Sequence, residues 1–152
     1  MSALHPAVPS SAVPKWVCMK GYNHLTVIID FLNTTTVTGS AIGLAQATAV
    51  AGTGTKTLGF VKMWALVDDG SSNIITETAV VANTFTTSAV NSKSGFYIIE
   101  VDANTLDIAN KFTSIQATVG NATAATIGVY YILGGYPRFG GAPESFMNPL
   151  SD

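Results

Sequence analysis

The 152-residue sequence predicts an all-β fold: a single β-sandwich or jelly-roll-like domain with an extended Pro-rich N-terminal arm and an irregular C-terminal tail. Three observations carry this expectation. Apolar and polar residues alternate over short stretches, the period-two pattern of half-buried strands. Clusters of Gly, Asn, Asp and Ser punctuate these stretches and supply positive φ or local side-chain bonds for turns. Charged residues make up only 11% of the chain, against about 25% in an average protein. Thr, Ala, Gly, Val and Asn take their place.

The arm covers residues 1–19, with Pro6, Pro9 and Pro14 spaced among small residues. Proline fixes φ and removes a donor, so the segment should be extended, and it needs a surface to lie on if it is to be ordered. Trp16 and Val17 anchor its junction with the body.

The body, residues 20–133, reads as strands nearly throughout. In "YNHLTVIIDFLN", Leu25, Val27, Ile29 and Phe31 share one face, and His24, Thr26, Ile28 and Asp30 the other. "AIGLAQATAV" follows, with Ile42 and Leu44 together, and "GFVKMWAL" aligns Phe60, Trp64 and Leu66 with Lys62. "NIITETAVV" is β-branched and alternates less cleanly. "GFYIIEV" sets Tyr97, Ile99 and Val101 against Phe96, Ile98 and Glu100. "TSIQATV" and "ATIGVYYIL" complete a set of seven strands, the last aligning Ile127, Val129, Tyr131 and Leu133. One helical turn is expected at "NTLDIANKF", with Asn104 as its cap and Asp107 at the favourable end of its dipole. The tail, residues 134–152, has Gly and Pro punctuation and isolated aromatics at Tyr136, Phe139 and Phe146.

Charge and composition exclude several function classes. The formal net charge is −2, and the seven basic residues form no stripe that would neutralise phosphates, so no nucleic-acid partner is expected. The apolar runs fall well short of the ~20 residues that span a bilayer. The N-terminus lacks a basic region followed by an uninterrupted apolar one, so synthesis in a cytoplasm without membrane insertion is expected. The lone Cys18 leaves no intramolecular disulfide to form. A solitary globular protein normally carries a more charged surface. The deficit therefore points to a surface largely covered by other subunits.

The stretch "QATAVAGTGTKTLGF", residues 46–60, brings Gly52, Gly54, Lys56 and Thr57 together in the manner of a phosphate-cradling loop. A P-loop requires glycine directly before the lysine and a helix after it. Here Thr55 precedes Lys56 and a strand pattern follows, so a turn is the reading. Asp68 to Gly70 lacks the alternating ligands and terminal Glu of a calcium loop and reads as a turn. His5, His24 and Cys18 share no zinc-ligand spacing. No serine lies in a nucleophile elbow, and Glu77 and Glu100 read as outward-facing strand positions. No enzyme activity, metal or cofactor is expected.

The body resembles a group of small virion proteins of tailed bacteriophages. The resemblance rests on Tyr22 to His24 opening a strand, Gln46 to Thr48 ending one before a glycine turn, Ile99 to Asp102 at a turn, and the closing Tyr131 to Gly135. It covers most of the body, but neither the arm nor the end of the tail. It implies a capsid decoration, or cement, protein: a β-sandwich that binds the outer capsid surface as a homotrimer and bridges neighbouring capsomers of the major capsid protein. On that reading the virion is its location, after synthesis in the host's bacterial cytoplasm. An arm can add a strand to a neighbour's sheet edge, and three weak arms on one trimer gain from effective concentration. Trp16, Val17, Tyr136, Arg138, Phe139 and Phe146 are then the candidate interface residues, because Trp, Tyr and Arg are the usual anchors. The competing class is a carbohydrate- or receptor-binding fibre or spike module, with Tyr22, Asn23 and Tyr136 as candidates. A head-completion or tail component is the third class.

Overall fold

In the computed structural model, residues 1–9, 13–68 and 74–134 are described. They form β1 (Ser2–Ala7), β2 (Val17–Cys18), β3 (His24–Asn33), β4 (Ala41–Ala47), β5 (Lys56–Leu58) and β6 (Lys62–Val67). After these come β7 (Thr76–Ala79), β8 (Thr84–Thr86), β9 (Ser94–Asp102), β10 (Ser114–Val119) and β11 (Ala125–Gly134). The fold is all-β, with two antiparallel sheets. The larger runs β1-β11-β3-β9-β6-β7, and the smaller β2-β10-β4-β5 with β8 also paired to β4.

The long alternating segments lie at the centre of the larger sheet. β3 pairs with β11 along its whole length, from His24 opposite Gly134 to Asn33 opposite Ala125, and with β9 on its other side. The expected inward set is fully enclosed: Leu25, Val27 and Ile29 are 0% exposed and Phe31 1%. It joins Tyr97, Ile99, Val101, Ile127, Val129 and Tyr131 with Ile42, Leu44, Leu58, Ile115 and Ala117 of the smaller sheet in one hydrophobic cluster. Tyr131 ties the two sheets together, because its buried hydroxyl accepts the Ala117 N–H at 2.8 Å. Burial lifts this phenol far above the ordinary range, so the group stays neutral. Phe31 stacks on Tyr97 at 5.3 Å between ring centroids, and Phe85 lies 4.8 Å from Tyr97.

Several expectations require correction. The start of the arm is extended as expected, but β1 lies along β11 of its own chain, with bulges between Ser2, Leu4 and Ala7. Pro6 fits there because an edge strand leaves one side without ladder bonds. The Met1 ammonium donates to the Tyr131 carbonyl at 2.8 Å, and the Lys15 N–H to the Ala3 carbonyl at 2.9 Å. Four short or edge strands, β1, β2, β5 and β8, were not among the seven expected. In "GFVKMWAL" the alternation breaks before the strand. Phe60 is buried with Met63 in the core, whereas Lys62, Trp64 and Leu66 turn outward. The single helical turn is two 3-10 turns, Ala103–Thr105 and Ile108–Asn110. Asp107 rather than Asn104 caps, its carboxylate accepting the Asn110 N–H at 3.3 Å.

The glycine-rich stretch joins β4 to β5 as a hairpin loop, not a phosphate cradle. Gly52 and Gly54 have φ of 75° and 63°, the left-handed region where glycine avoids a steric penalty. The Thr48 N–H donates to the Thr53 carbonyl at 2.9 Å and closes the loop. Gln46, which opens the stretch, is buried, and its side-chain oxygen accepts the Asp107 N–H at 2.9 Å. The "Gln-Ala-Thr" pattern thereby holds the 3-10 segment against β4.

Candidate functional site

The second face of the larger sheet, directed away from the core, is the most distinctive surface of the described residues. Pairing places Tyr130 opposite Ile28, Ile28 opposite Ile98, and Ile98 opposite Trp64. Four apolar side chains thus form one row across β11, β3, β9 and β6. Directly opposed residues have Cβ atoms about 4.5–5.5 Å apart, close enough for neighbouring side chains to interact. In the next row Phe96 stands opposite Leu66, with Asp30 and Gly128 completing it. A Cβ at Gly128 would come within 3.1 Å of the Tyr130 hydroxyl and 3.3 Å of Pro6, so Tyr130 lies back over that glycine and covers it. The row residues are half-buried, and Ile132 and Leu32 further along are 52% and 54% exposed.

Asp30 stands exposed on this face, and other charged groups at its margins are paired within the chain. At one edge Lys62 Nζ lies 2.7 Å from Glu77 across the β6–β7 ladder. At one corner His24 Nε2 contacts Glu100, and Nδ1 lies 3.1 Å from Asp102. The Thr26 hydroxyl donates to the same Glu100 carboxylate at 2.9 Å. A neutral imidazole has one N–H, so only protonated His24 donates to both acids at once. Burial favours the neutral ring. The hydrogen bonds to Asp102 and Glu100, with their charges, outweigh it and hold the His24 pKa above its ordinary value.

Beside that corner lies an open cleft of about 390 Å³. Tyr22 and Phe112 line it with Lys20, Asn23, Asp102 and Asn104, and Met19 and Leu106 add apolar surface. The Ala103 N–H donates to the Asn23 carbonyl at 2.8 Å and fixes the 3-10 turn against the start of β3. Behind Phe112, Lys56 pairs with Asp107 and stands 4.9 Å from the Phe112 ring centroid. The hydrogen bond from Lys56, and then that from Asn110, hold the Asp107 carboxyl below its usual range. Lys56 is therefore an ion-pair partner.

The candidate interface residues fare differently. Val17 is 0% exposed within β2 and belongs to the core of its own chain, so its side chain offers nothing to a partner. Trp16 is half-buried and leans over the β4–β5 loop, where a Cβ at Gly52 would fall 2.7 Å from its indole nitrogen. Tyr136, Arg138, Phe139 and Phe146 lie outside the described residues, as does most of the Asp68–Gly70 turn. Tyr22 and Asn23 are brought together at the cleft. Sequence reasoning missed the outer apolar row, although its signal was present: Ile28 and Ile98 sit on the faces opposite the recognised core sets, whereas Trp64 was grouped with Phe60. It also missed the His24 cluster, whose partners are 76 and 78 positions away.

No known protein family, curated protein or solved structure matches the chain. No helix among the described residues is long and apolar enough to cross a membrane.

Proposed function

We propose that this chain is a structural virion protein: a β-sandwich that binds the outer surface of a bacteriophage capsid as a homotrimer and cements neighbouring capsomers. The observation that carries the reading is the outward apolar row Tyr130–Ile28–Ile98–Trp64 on the larger sheet, in a chain with 11% charged residues. A protein that works alone in solvent gains nothing from such a surface, whereas one that lives within an assembly buries it. The resemblance of "YNHLTVIIDFLN" and "GFYIIEV" to small phage virion proteins supplies the class of assembly. Trp16, half-buried over the Gly52 loop, is the candidate contact residue of the described arm.

The test is addition of the purified protein to expanded shells that lack it, followed by pelleting. Saturation at a fixed ratio to the major capsid protein, with many copies per particle, supports the proposal. Absence of co-pelleting at every concentration defeats it, and a single ring of copies at a vertex assigns the chain to head completion instead. Deleting the arm is a poor test of contact, because it also removes β1 from its own sheet.

A second reading, a saccharide-binding virion module, is favoured by the cleft. Tyr22 and Phe112 offer ring faces, and Asn23, Asn104 and Asp102 offer planar hydrogen-bonding groups. A mixed apolar and polar lining of this kind suits a small ligand. Glycan-array binding that is lost in Tyr22→Ala would establish it, and an array without hits would remove it.

A further inference from the structure

We propose that the cleft and the His24 bridge compete for one carboxylate, that of Asp102. On the saccharide reading, which this proposal requires, a sugar bound in the cleft and a proton held on His24 oppose each other.

Asp102 ends β9 and stands opposite His24, which opens β3. From there its carboxylate serves two places. It lines the cleft, and its Oδ1 lies 3.1 Å from His24 Nδ1. The other ring nitrogen, Nε2, contacts Glu100. The backbone at this junction is tied independently of the ring. The Ala103 N–H donates to the Asn23 carbonyl at 2.8 Å, and the Thr105 hydroxyl donates to the Asp102 carbonyl at 2.7 Å. The Asp102 side chain, 72% exposed, is therefore free to turn while the strand end stays in place.

Protonated His24 donates to both acids. The neutral ring carries a single N–H, so one carboxylate must then face a bare nitrogen. Glu100 is the more enclosed acid, its side chain 33% exposed, and it also accepts the Thr26 hydroxyl at 2.9 Å. A partly buried carboxylate loses more by giving up a donor than an exposed one does. The remaining proton therefore stays on Nε2, toward Glu100, and Asp102 is the acid released. Two acceptors at 3.1 Å repel, so the Asp102 carboxylate turns from the ring and takes donors from the cleft. Sugar hydroxyls are such donors, and bonds to an ionised acceptor are the stronger kind. Tyr22, Phe112, Asn23 and Asn104 line the space they would enter.

Among the described residues around His24, β9 brings Glu100 and Asp102, and β11 brings only Gly134. Lys20 is the cation of the cleft lining, and behind Phe112 the charges of Lys56 and Asp107 meet each other. Burial favours the neutral imidazole, but the bonds to Asp102 and Glu100 outweigh it, so release of Asp102 comes above about pH 6.5, the ordinary histidine value.

The experiment is a glycan array read at about pH 5.5 and about pH 8.5, on either side of that transition. The wild type should bind its glycans about 3- to 10-fold more tightly at the higher pH, the worth of one hydrogen bond. His24→Gln and Asp102→Asn should each lose this dependence, and His5→Gln, at the chain's other histidine, should keep it. Linkage is reciprocal, so a saturating glycan should lower the proton affinity of His24 by the same factor. NMR titration of the His24 ring protons in the wild type reads that change and decides the matter even if a variant does not fold. Equal binding at the two pH values, tighter binding at the lower one, or a titration that ignores the glycan overturns the proposal and leaves the saccharide reading standing. A dependence that survives in His24→Gln assigns the proton to another group and overturns it as well. An array without hits at either pH removes the proposal and the saccharide reading together.

Discussion

The two faces of the larger sheet both carry large apolar side chains, yet they do different work. The inner face, with Leu25, Val27, Ile29, Phe31, Ile99 and Tyr131, meets the smaller sheet and is closed to solvent. The outer face, with Ile28, Ile98, Trp64 and Tyr130, is built from the very next residues along the same strands and is only half-buried. The outer face interleaves its apolar residues with Thr26, Asp30 and Glu100, which the inner face does not. What separates them further is what stands opposite: a second sheet of the same chain on one side, and no described element on the other. Apolar character along a strand therefore reports that a face is to be covered, and topology decides whether the cover comes from within the chain.

The strongest way to test this contrast is to cut into the inner face. Phe31→Ala should lower the unfolding free energy by about 3–5 kcal/mol, the usual cost of removing a buried ring, read by chemical denaturation. A loss below about 1 kcal/mol would mean that the core does not rest on this strand. Next comes Tyr131→Phe, which keeps the ring and deletes the hydroxyl that accepts the Ala117 N–H. Leaving that buried donor without a partner should cost about 1–3 kcal/mol. An unchanged midpoint would show that the bond between the sheets is dispensable.

On the outer face, Ile28→Thr should change the stability of the dilute, dissociated chain by no more than about 1 kcal/mol, since strand propensity is kept and little area is lost. Its effect should appear in association instead. A large loss of stability at high dilution would show that the face is covered intramolecularly.

The smallest effect sharpens the corner of that face. His24 titrates above its ordinary value, so protonation stabilises the folded chain. That contribution is fully present below about pH 6.5, the unperturbed value, and is lost as pH rises through the raised folded value. Wild-type stability should therefore decline over the neutral to mildly alkaline range more steeply than that of His24→Gln. Parallel pH profiles of the two proteins would remove the two-carboxylate contact from consideration.

The parts of the fold legible in sequence are those where local pattern and global burial agree. "YNHLTVIIDFLN" alternates cleanly, and its core set is the enclosed one; "GFYIIEV" and "ATIGVYYIL" behave the same way. β1 was illegible as a strand of its own sheet because its prolines argue for a free segment, and only the pairing with β11 shows an edge position that tolerates Pro6. The β5 and β8 strands are three residues each, too short to display a period. Phe60 misled because it lies in the link between β5 of the smaller sheet and β6 of the larger, outside the strand whose alternation it was counted in. The candidate sites were less legible still. His24 meets Glu100 only because β3 lies beside β9, and Tyr22 meets Phe112 at the cleft across most of the chain's length.

The sequence by itself determined that this chain makes strands, which residues share each strand face, and where glycine-rich turns must fall, because these follow from backbone geometry and side-chain sterics over a few residues. Tertiary structure alone decided what stands opposite the inner face, which carboxylates reached His24, and that the arm's first strand lies on its own sheet. Those outcomes depend on which strands come side by side, and strand neighbours are chosen by the burial of the whole chain rather than by any short stretch of it.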